Sequence, residues 1–302
     1  MLPFRLVYHD GYDLNLGAHV FPAEKYRLIR ERLMTEGFAE PGDFVAPAPV
    51  AEEDLLLVHE AGWVTRLRNG TLGYLEILKL EIPYSRRMVE GFFLAAGGTL
   101  LAARRALEDR VGFNIGGGFH HAFPGHGEGF CAIHDVAVAV RVLQREGSIG
   151  RALIVDLDVH QGNGTAAIFA GDESVYTLSV HQRNNYPEVK PPSNLDVDLE
   201  DGTGDEEYLR VLERALERAV GESRPDLVMY VAGADPYRED QLGGLALTLD
   251  GLEARDRMVF EMGLRAAPVV VTLAGGYASN TSDTVTIHCN TARAARAALK
   301  SS

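Results

Sequence analysis

Six short runs of β-branched and aliphatic residues recur along the chain, at Leu6 to Tyr8, Gly112 to Ile115, Ala152 to Asp156, Val175 to Val180, Leu227 to Ala232 and Val269 to Leu273. Strands with so little polar alternation belong in a parallel sheet covered on both faces. Helical stretches separate them, at Met88 to Leu107, His134 to Arg145, Glu206 to Val220, Leu252 to Met262 and Thr291 to Leu299. In the third of these, Leu209, Leu212, Leu216 and Val220 recur at helical spacing and mark a core-facing stripe. Alternating strands and helices predict right-handed βαβ units. The expected fold is therefore an α/β three-layer sandwich around a mostly parallel, doubly wound sheet.

Composition limits what such a fold can be. Of 302 residues, 46% are apolar and 24% charged, which suits a globular chain with a sizeable core. No Gly/Pro-rich linker, low-complexity block or fixed-period repeat interrupts it, so residues 1–302 are read as one domain. No apolar run approaches the roughly 20 residues of a membrane helix. The N-terminal Met1-Leu2-Pro3-Phe4-Arg5 has no apolar secretory core, and cytoplasmic residence is expected. The two cysteines, Cys131 and Cys289, lie outside any CxxC pair and are expected to be reduced. A formal charge of −14 argues against nucleic acid as a partner and accommodates cationic ligands, lysine side chains and polyamines among them.

In doubly wound sheets ligands bind beyond the carboxyl ends of the strands. Here those ends are unusually polar. The run Ala152 to Val155 is followed by Asp156-Leu157-Asp158-Val159-His160. Residues two apart on an extended chain share a face, so two carboxylates and an imidazole can converge there, a donor set for Zn²⁺ or Fe²⁺. A strand-end aspartate also caps helices or pairs with a cation. Asp235, delivered by the run Leu227 to Ala232, supplies a ligand from a second strand, and Asp158, His160 and Asp235 are taken as the metal set. His120 and His121 follow the glycines at 116–118; imidazole titrates nearest neutral pH and can take and return a proton. Tyr277, after Gly275-Gly276, can donate to a developing oxyanion. Phe130 and Tyr186 can line an aliphatic slot or simply pack in the core.

Taken together, GGGFHHAFPGHGEGFCAIHD (116–135), VDLDVHQGNGT (155–165), VAGADPYREDQLGGL (231–245) and AGGY (274–277) resemble the histone deacetylases of the arginase/deacetylase superfamily. The likeness is nearest to class IV and suggests a bacterial homologue, because Asn163 stands where class I members usually carry Asp. Asp240 to Leu245 and Gly202 to Leu209 fit the same class. The resemblance implies removal of an acetyl or longer acyl group from a lysine side chain in a protein or peptide. It implies Zn²⁺, or Fe²⁺ in its place, on Asp158, His160 and Asp235. His121 would be the general base and acid, His120 with Asp156 its electrostatic partner, and Asn163 the group orienting His121. Gly129, Phe130, Tyr186 and Leu242 would contact substrate. It further implies structural K⁺ near Asp156, Asp158, His160, Ser179 and Val180, and a second monovalent-ion loop at Phe169, Asp172 and Val175.

Three rivals remain on the sequence. A binuclear ureohydrolase needs a further carboxylate two residues after Asp235, where Pro236-Tyr237 stand instead. An acetylpolyamine deacetylase would carry an acidic gatekeeper beyond the third ligand; the aligned position is Leu242, although Glu239 and Asp240 are close by. A metal-stabilised binding module without catalysis would lack a catalytic group, yet His120, His121, Asp156 and Tyr277 are all present.

Overall fold

The computed structural model describes residues 1–301. Eight strands form one sheet: β1 Leu6–Val7, β2 Phe44–Val45, β3 Val111–Asn114, β4 Ala152–Asp156, β5 Val175–Gln182, β6 Leu195–Leu199, β7 Leu227–Val231 and β8 Val269–Thr272. Their order across the sheet is β2-β1-β3-β8-β7-β4-β5-β6, and every pairing is parallel. The expected "mostly parallel" sheet is thus parallel throughout.

The helices are α1 Lys25–Thr35, α2 Glu52–Leu55, α3 Ala61–Asn69, α4 Tyr74–Leu80, α5 Arg86–Asp109, α6 Asp135–Arg145, α7 Asn163–Ile168, α8 Asp205–Ser223, α9 Leu249–Ala266 and α10 Thr281–Ser301. Helix α5 packs on β3 and α6, while α8, α9, α10 and α1 form a second contiguous set. The two helix sets sandwich the sheet, and the central strands β3, β4, β7 and β8 are buried at every position. This burial is why their sequences read as unbroken apolar runs. Local caps fix where helices begin: the Ser85 hydroxyl accepts from Met88 N at 3.0 Å and the Thr248 hydroxyl from Gly251 N at 3.0 Å. Cys131 and Cys289 are free and buried.

The chain runs from β4 outward through β5 and β6, then returns to the other side of β4 as β7. Winding therefore reverses between β4 and β7, the kind of switch point where a crevice opens beyond the strand ends. Asp156 of β4 is in register with Val231 of β7, so the segments leaving these strands emerge side by side. The neighbours β8 and β3 bring the two remaining polar segments to the same end.

Candidate active site

Four adjacent strand ends build the site. Asp158 and His160 follow β4, and Asp235 follows β7. One potential ligand atom from each lies within 4.8 Å of the others, and all three residues are buried. Among the described residues this is the group of three or more His, Cys, Asp or Glu side chains able to share a metal ion. Backbone amides aim the carboxylates: Val159 N donates to Asp235 Oδ1 at 2.8 Å, and Gly275 N to Asp158 Oδ2 at 2.9 Å. Asp235 is fully buried, yet among the described residues its Oδ2 has no well-aligned hydrogen-bond donor, His160 Nδ1 standing 3.4 Å away. Burial, followed by the charge of Asp158, raises its pKa. An orphaned carboxylate oxygen beside a second carboxylate and an imidazole is a donor set that fits a divalent cation. Gly275 keeps the space open, since a Cβ there would fall 2.0 Å from Asp235 Oδ2.

Behind these ligands, Arg255 of α9 is wholly buried and donates to Gly233 O at 2.6 Å and Leu157 O at 3.3 Å. One guanidinium thus ties together the loops that carry the ligands. Asp256 balances its charge, with 2.8 Å between Arg255 Nη2 and Asp256 Oδ1.

The glycine turn after β3 is held by Asp135, whose carboxylate accepts from Gly118 N at 2.9 Å and Phe119 N at 2.8 Å. This presents both histidines to the site. His120 Nδ1 donates to Asp156 Oδ2 at 2.7 Å. Burial alone would lower His120, but the charges of Asp156 and Asp158 outweigh it and hold the pKa at about 9. His121 Nδ1 meets Asn163 Oδ1 at 2.7 Å. Burial, and then the neighbouring His120 and His160, push His121 well below its ordinary value, so it rests neutral. The two imidazoles lie 4.0 Å apart between centroids but sit in opposite electrostatic settings.

Tyr277 is clamped through its backbone: its N–H donates to Asp240 Oδ2 at 2.6 Å, and its carbonyl accepts from Gln241 Nε2 at 2.8 Å. Burial, then the charges of Asp158 and Asp235, raise the phenol well above its usual pKa and keep it a donor. A cavity of about 250 Å³ leads to these groups, lined by His121, His160 and Tyr277 together with Gly129, Phe130, Tyr186 and Leu242. All four residues expected to touch substrate therefore share one slot. Gly129 has φ of 52°, and a Cβ there would meet His121 Cδ2 at 2.7 Å, which explains the glycine.

Sequence reasoning missed other members. Glu81 and Asn185 also line the slot. Glu128 is buried against Asn163 and Tyr186. Lys25 of α1 is fully buried and donates to Ala274 O at 2.7 Å, next to the turn that carries Tyr277. Lys25 and Ala274 are 249 residues apart, and no local pattern announces the contact.

The expected ion loops divide. Ser179 pairs in register with Asp156, beside the ligand segment, and its hydroxyl meets His181 Nδ1 at 2.9 Å. Phe169, Asp172 and Val175 mark consecutive turns that lead into the first residue of β5, with Asp172 N donating to Phe169 O at 3.0 Å and Val175 N to Asp172 O at 3.3 Å. There the Asp172 carboxylate pairs with Arg141 at 2.6 Å.

The eight-stranded parallel sheet, with a buried carboxylate–imidazole cluster at its switch point and His121 and Tyr277 on one slot, has the arginase/deacetylase class of α/β fold. The histone deacetylase domain model matches residues 19–292, and the chain belongs to the histone deacetylase family. It is 43% identical over 295 residues to an uncharacterized protein of Picosynechococcus sp., covering 97% of this chain and 98% of the other. It is 33% identical to histone deacetylase 2 of Arabidopsis thaliana, over 90% of this chain and 74% of that one. The crystal structure of the HDA15 HD domain superposes with a TM-score of 0.81 at 25% identity, covering 96% of this chain and 90% of that one.

Proposed function

We propose that this chain is a single-domain, metal-dependent deacylase that removes acetyl or longer acyl groups from the side-chain amine of lysine in a protein or peptide. The observation that carries the reading is the buried Asp158, His160 and Asp235 cluster opening onto a slot shared by His121 and Tyr277. Those three side chains would hold Zn²⁺, with Fe²⁺ as the substitute. Bound there, a divalent ion supplies Lewis acidity, polarising the acyl carbonyl and lowering the pKa of water.

The chain's own groups do the rest. His121 donates through Nδ1 to Asn163, so its Nε2 is the atom that takes a proton from the attacking water and later returns it to the leaving amine. His120, held by Asp156, lends its charge to the developing transition state. Tyr277 donates its hydroxyl proton in a hydrogen bond to the carbonyl oxygen as that oxygen gains charge. Phe130 and Tyr186 enclose the lysine methylenes and exclude water, with Gly129 and Leu242 completing the slot. We place structural K⁺ beside Asp156, Asp158, His160, Ser179 and Val180. Any ion at Phe169, Asp172 and Val175 would rely on backbone carbonyls, because Arg141 already balances Asp172.

Within the family we place the chain nearest class IV, on Asn163 and the Asp240–Leu245 run, as a bacterial, cytoplasmic member that does not bind nucleic acid. Two buried free thiols suit a reducing compartment.

A second reading, acetylpolyamine deacetylation, is favoured by one observation: the acidic Glu81 lines the slot. Asp240 does not serve as gatekeeper, because its carboxylate is taken by the backbone amides of Leu242, Gly243 and Tyr277. Hydrolysis of acetyl-, butyryl- and myristoyl-lysine peptides beside acetylspermidine decides. Preference for a lysine peptide is expected; turnover of acetylspermidine alone would replace the first reading with the second.

A further inference from the structure

Glu128 lies in the loop between β3 and α6, almost wholly buried, and the chemistry above gives it no part. Its Oε1 accepts from Asn163 Nδ2 at 2.6 Å and from the Tyr186 hydroxyl at 2.9 Å. Its Oε2 lies 2.7 Å from Lys79 Nζ and 3.0 Å from His126 Nε2. Burial alone would raise this carboxyl, but the hydrogen bonds from His126, Lys79, Tyr186 and Asn163 outweigh it and hold it well below the usual range. Glu128 is therefore an anion, and an anion only accepts.

That one-way character propagates inward. Because Asn163 Nδ2 donates to Glu128, its Oδ1 points the other way and accepts from Gly164 N at 3.0 Å as well as from His121 Nδ1 at 2.7 Å. Rotating the amide by half a turn would set its NH₂ against the Gly164 N–H and its carbonyl against the Glu128 carboxylate, two repulsive contacts in a buried setting. His121 Nδ1 thus faces an acceptor and carries the ring proton, which leaves Nε2 bare. The Tyr186 ring, tethered to the same carboxylate oxygen, meets the His121 ring edge-on at 4.9 Å.

We propose that Glu128 is a positioning residue: through Asn163 it fixes His121 as the Nδ1–H form and strengthens that hydrogen bond, and through Tyr186 it sets the slot wall against the same ring. Asn163 is neutral, so it gives His121 no formal charge of its own; the carboxylate behind it polarises the amide in the direction His121 needs. No proton passes beyond His121 Nδ1. The inference rests on the proton-transfer role proposed for His121.

Histidine-¹⁵N-labelled, Zn²⁺-loaded protein tests it by NMR of the His121 Nδ1 proton, assigned by its disappearance in His121→Ala. Glu128→Ala should move that resonance upfield and lower kcat roughly tenfold, with bound metal unchanged. Glu128→Gln keeps an acceptor for Asn163 Nδ2 and should restore most of the resonance position and an intermediate kcat. Tyr186→Phe removes only the other arm and should raise KM while leaving the resonance in place. Wild-type resonance and kcat in Glu128→Ala would overturn the proposal, as would an equal shift in Tyr186→Phe. The spectrum requires no turnover, so an inactive wild-type protein would sink the deacylase reading while this inference was still decided.

Discussion

Tyr277 and His121 reach the slot from different strand ends, β8 and β3, so their contributions separate by mutation. Neither belongs to the Asp158, His160 and Asp235 cluster. Tyr277→Phe deletes only the hydroxyl proposed as oxyanion donor; kcat should fall on the order of a hundredfold or more while metal content stays at the wild-type level. Near-normal turnover would remove Tyr277 from the mechanism. His121→Ala should likewise retain metal and lose most of kcat, on the order of a hundredfold. The roles proposed for them rest on side-chain chemistry and on the family resemblance, but both positions were legible in the sequence because each residue follows a strand and a glycine turn. Glu128 was not, because its meaning depends on Asn163 and Tyr186, which lie 35 and 58 residues further on.

Among the elements, Arg255 of α9 carries the clearest consequence. It bridges the carbonyls of Leu157 and Gly233 and is paired with the buried Asp256. Arg255→Ala should destabilise the protein by about 3–5 kcal/mol, because Asp256 is left buried and uncompensated. Urea denaturation measures this, and a loss below about 1 kcal/mol would show that the pair does not hold the ligand loops. The six strands expected from apolar runs all occur. Missing from the sequence reading were β2, only two residues long, and β6, whose Leu-Asp-Val-Asp-Leu alternates; both are edge strands without a fully apolar signature. Helix α10 begins at Thr281 rather than Thr291, because Thr281, Thr284, Val285, Thr286 and Ile287 are β-branched and read as poor helix formers although packing makes them helical. Helix α1 also escaped notice, because charged residues separate Tyr26, Ile29 and Leu33 and leave only a sparse apolar stripe.

For the molecule as a whole, acid stability follows from histidines buried in the neutral form. His59 Nε2 accepts from His134 N at 3.0 Å while its Nδ1 contacts Phe123 O at 3.1 Å, so no acceptor awaits a second proton. Burial lowers its pKa to about 4, outweighing the carbonyl contacts. The unfolded chain binds that proton near pH 6.5 and the folded one only near 4. This contribution is therefore fully present above about pH 6.5 and is lost as pH falls toward 4, at up to ~1.4 kcal/mol per pH unit. Tm should decline across that window, and His59→Gln should start lower at pH 8 yet decline less. An equal slope in the variant would assign the acid sensitivity elsewhere.

On the proposed function, one divalent ion held jointly by the ends of β4 and β7 is required for acyl-lysine hydrolysis. The direct measurement is a Zn²⁺ titration of chelator-stripped protein, following acetyl-lysine peptide hydrolysis and bound metal together, for the wild type and Asp235→Asn. Activity should return in step with binding of about one equivalent in the wild type, as a three-ligand catalytic site requires, and neither should return in the variant. Undiminished hydrolysis by the stripped protein, or full metal binding and activity in Asp235→Asn, would contradict a hydrolysis that depends on an ion held by Asp158, His160 and Asp235.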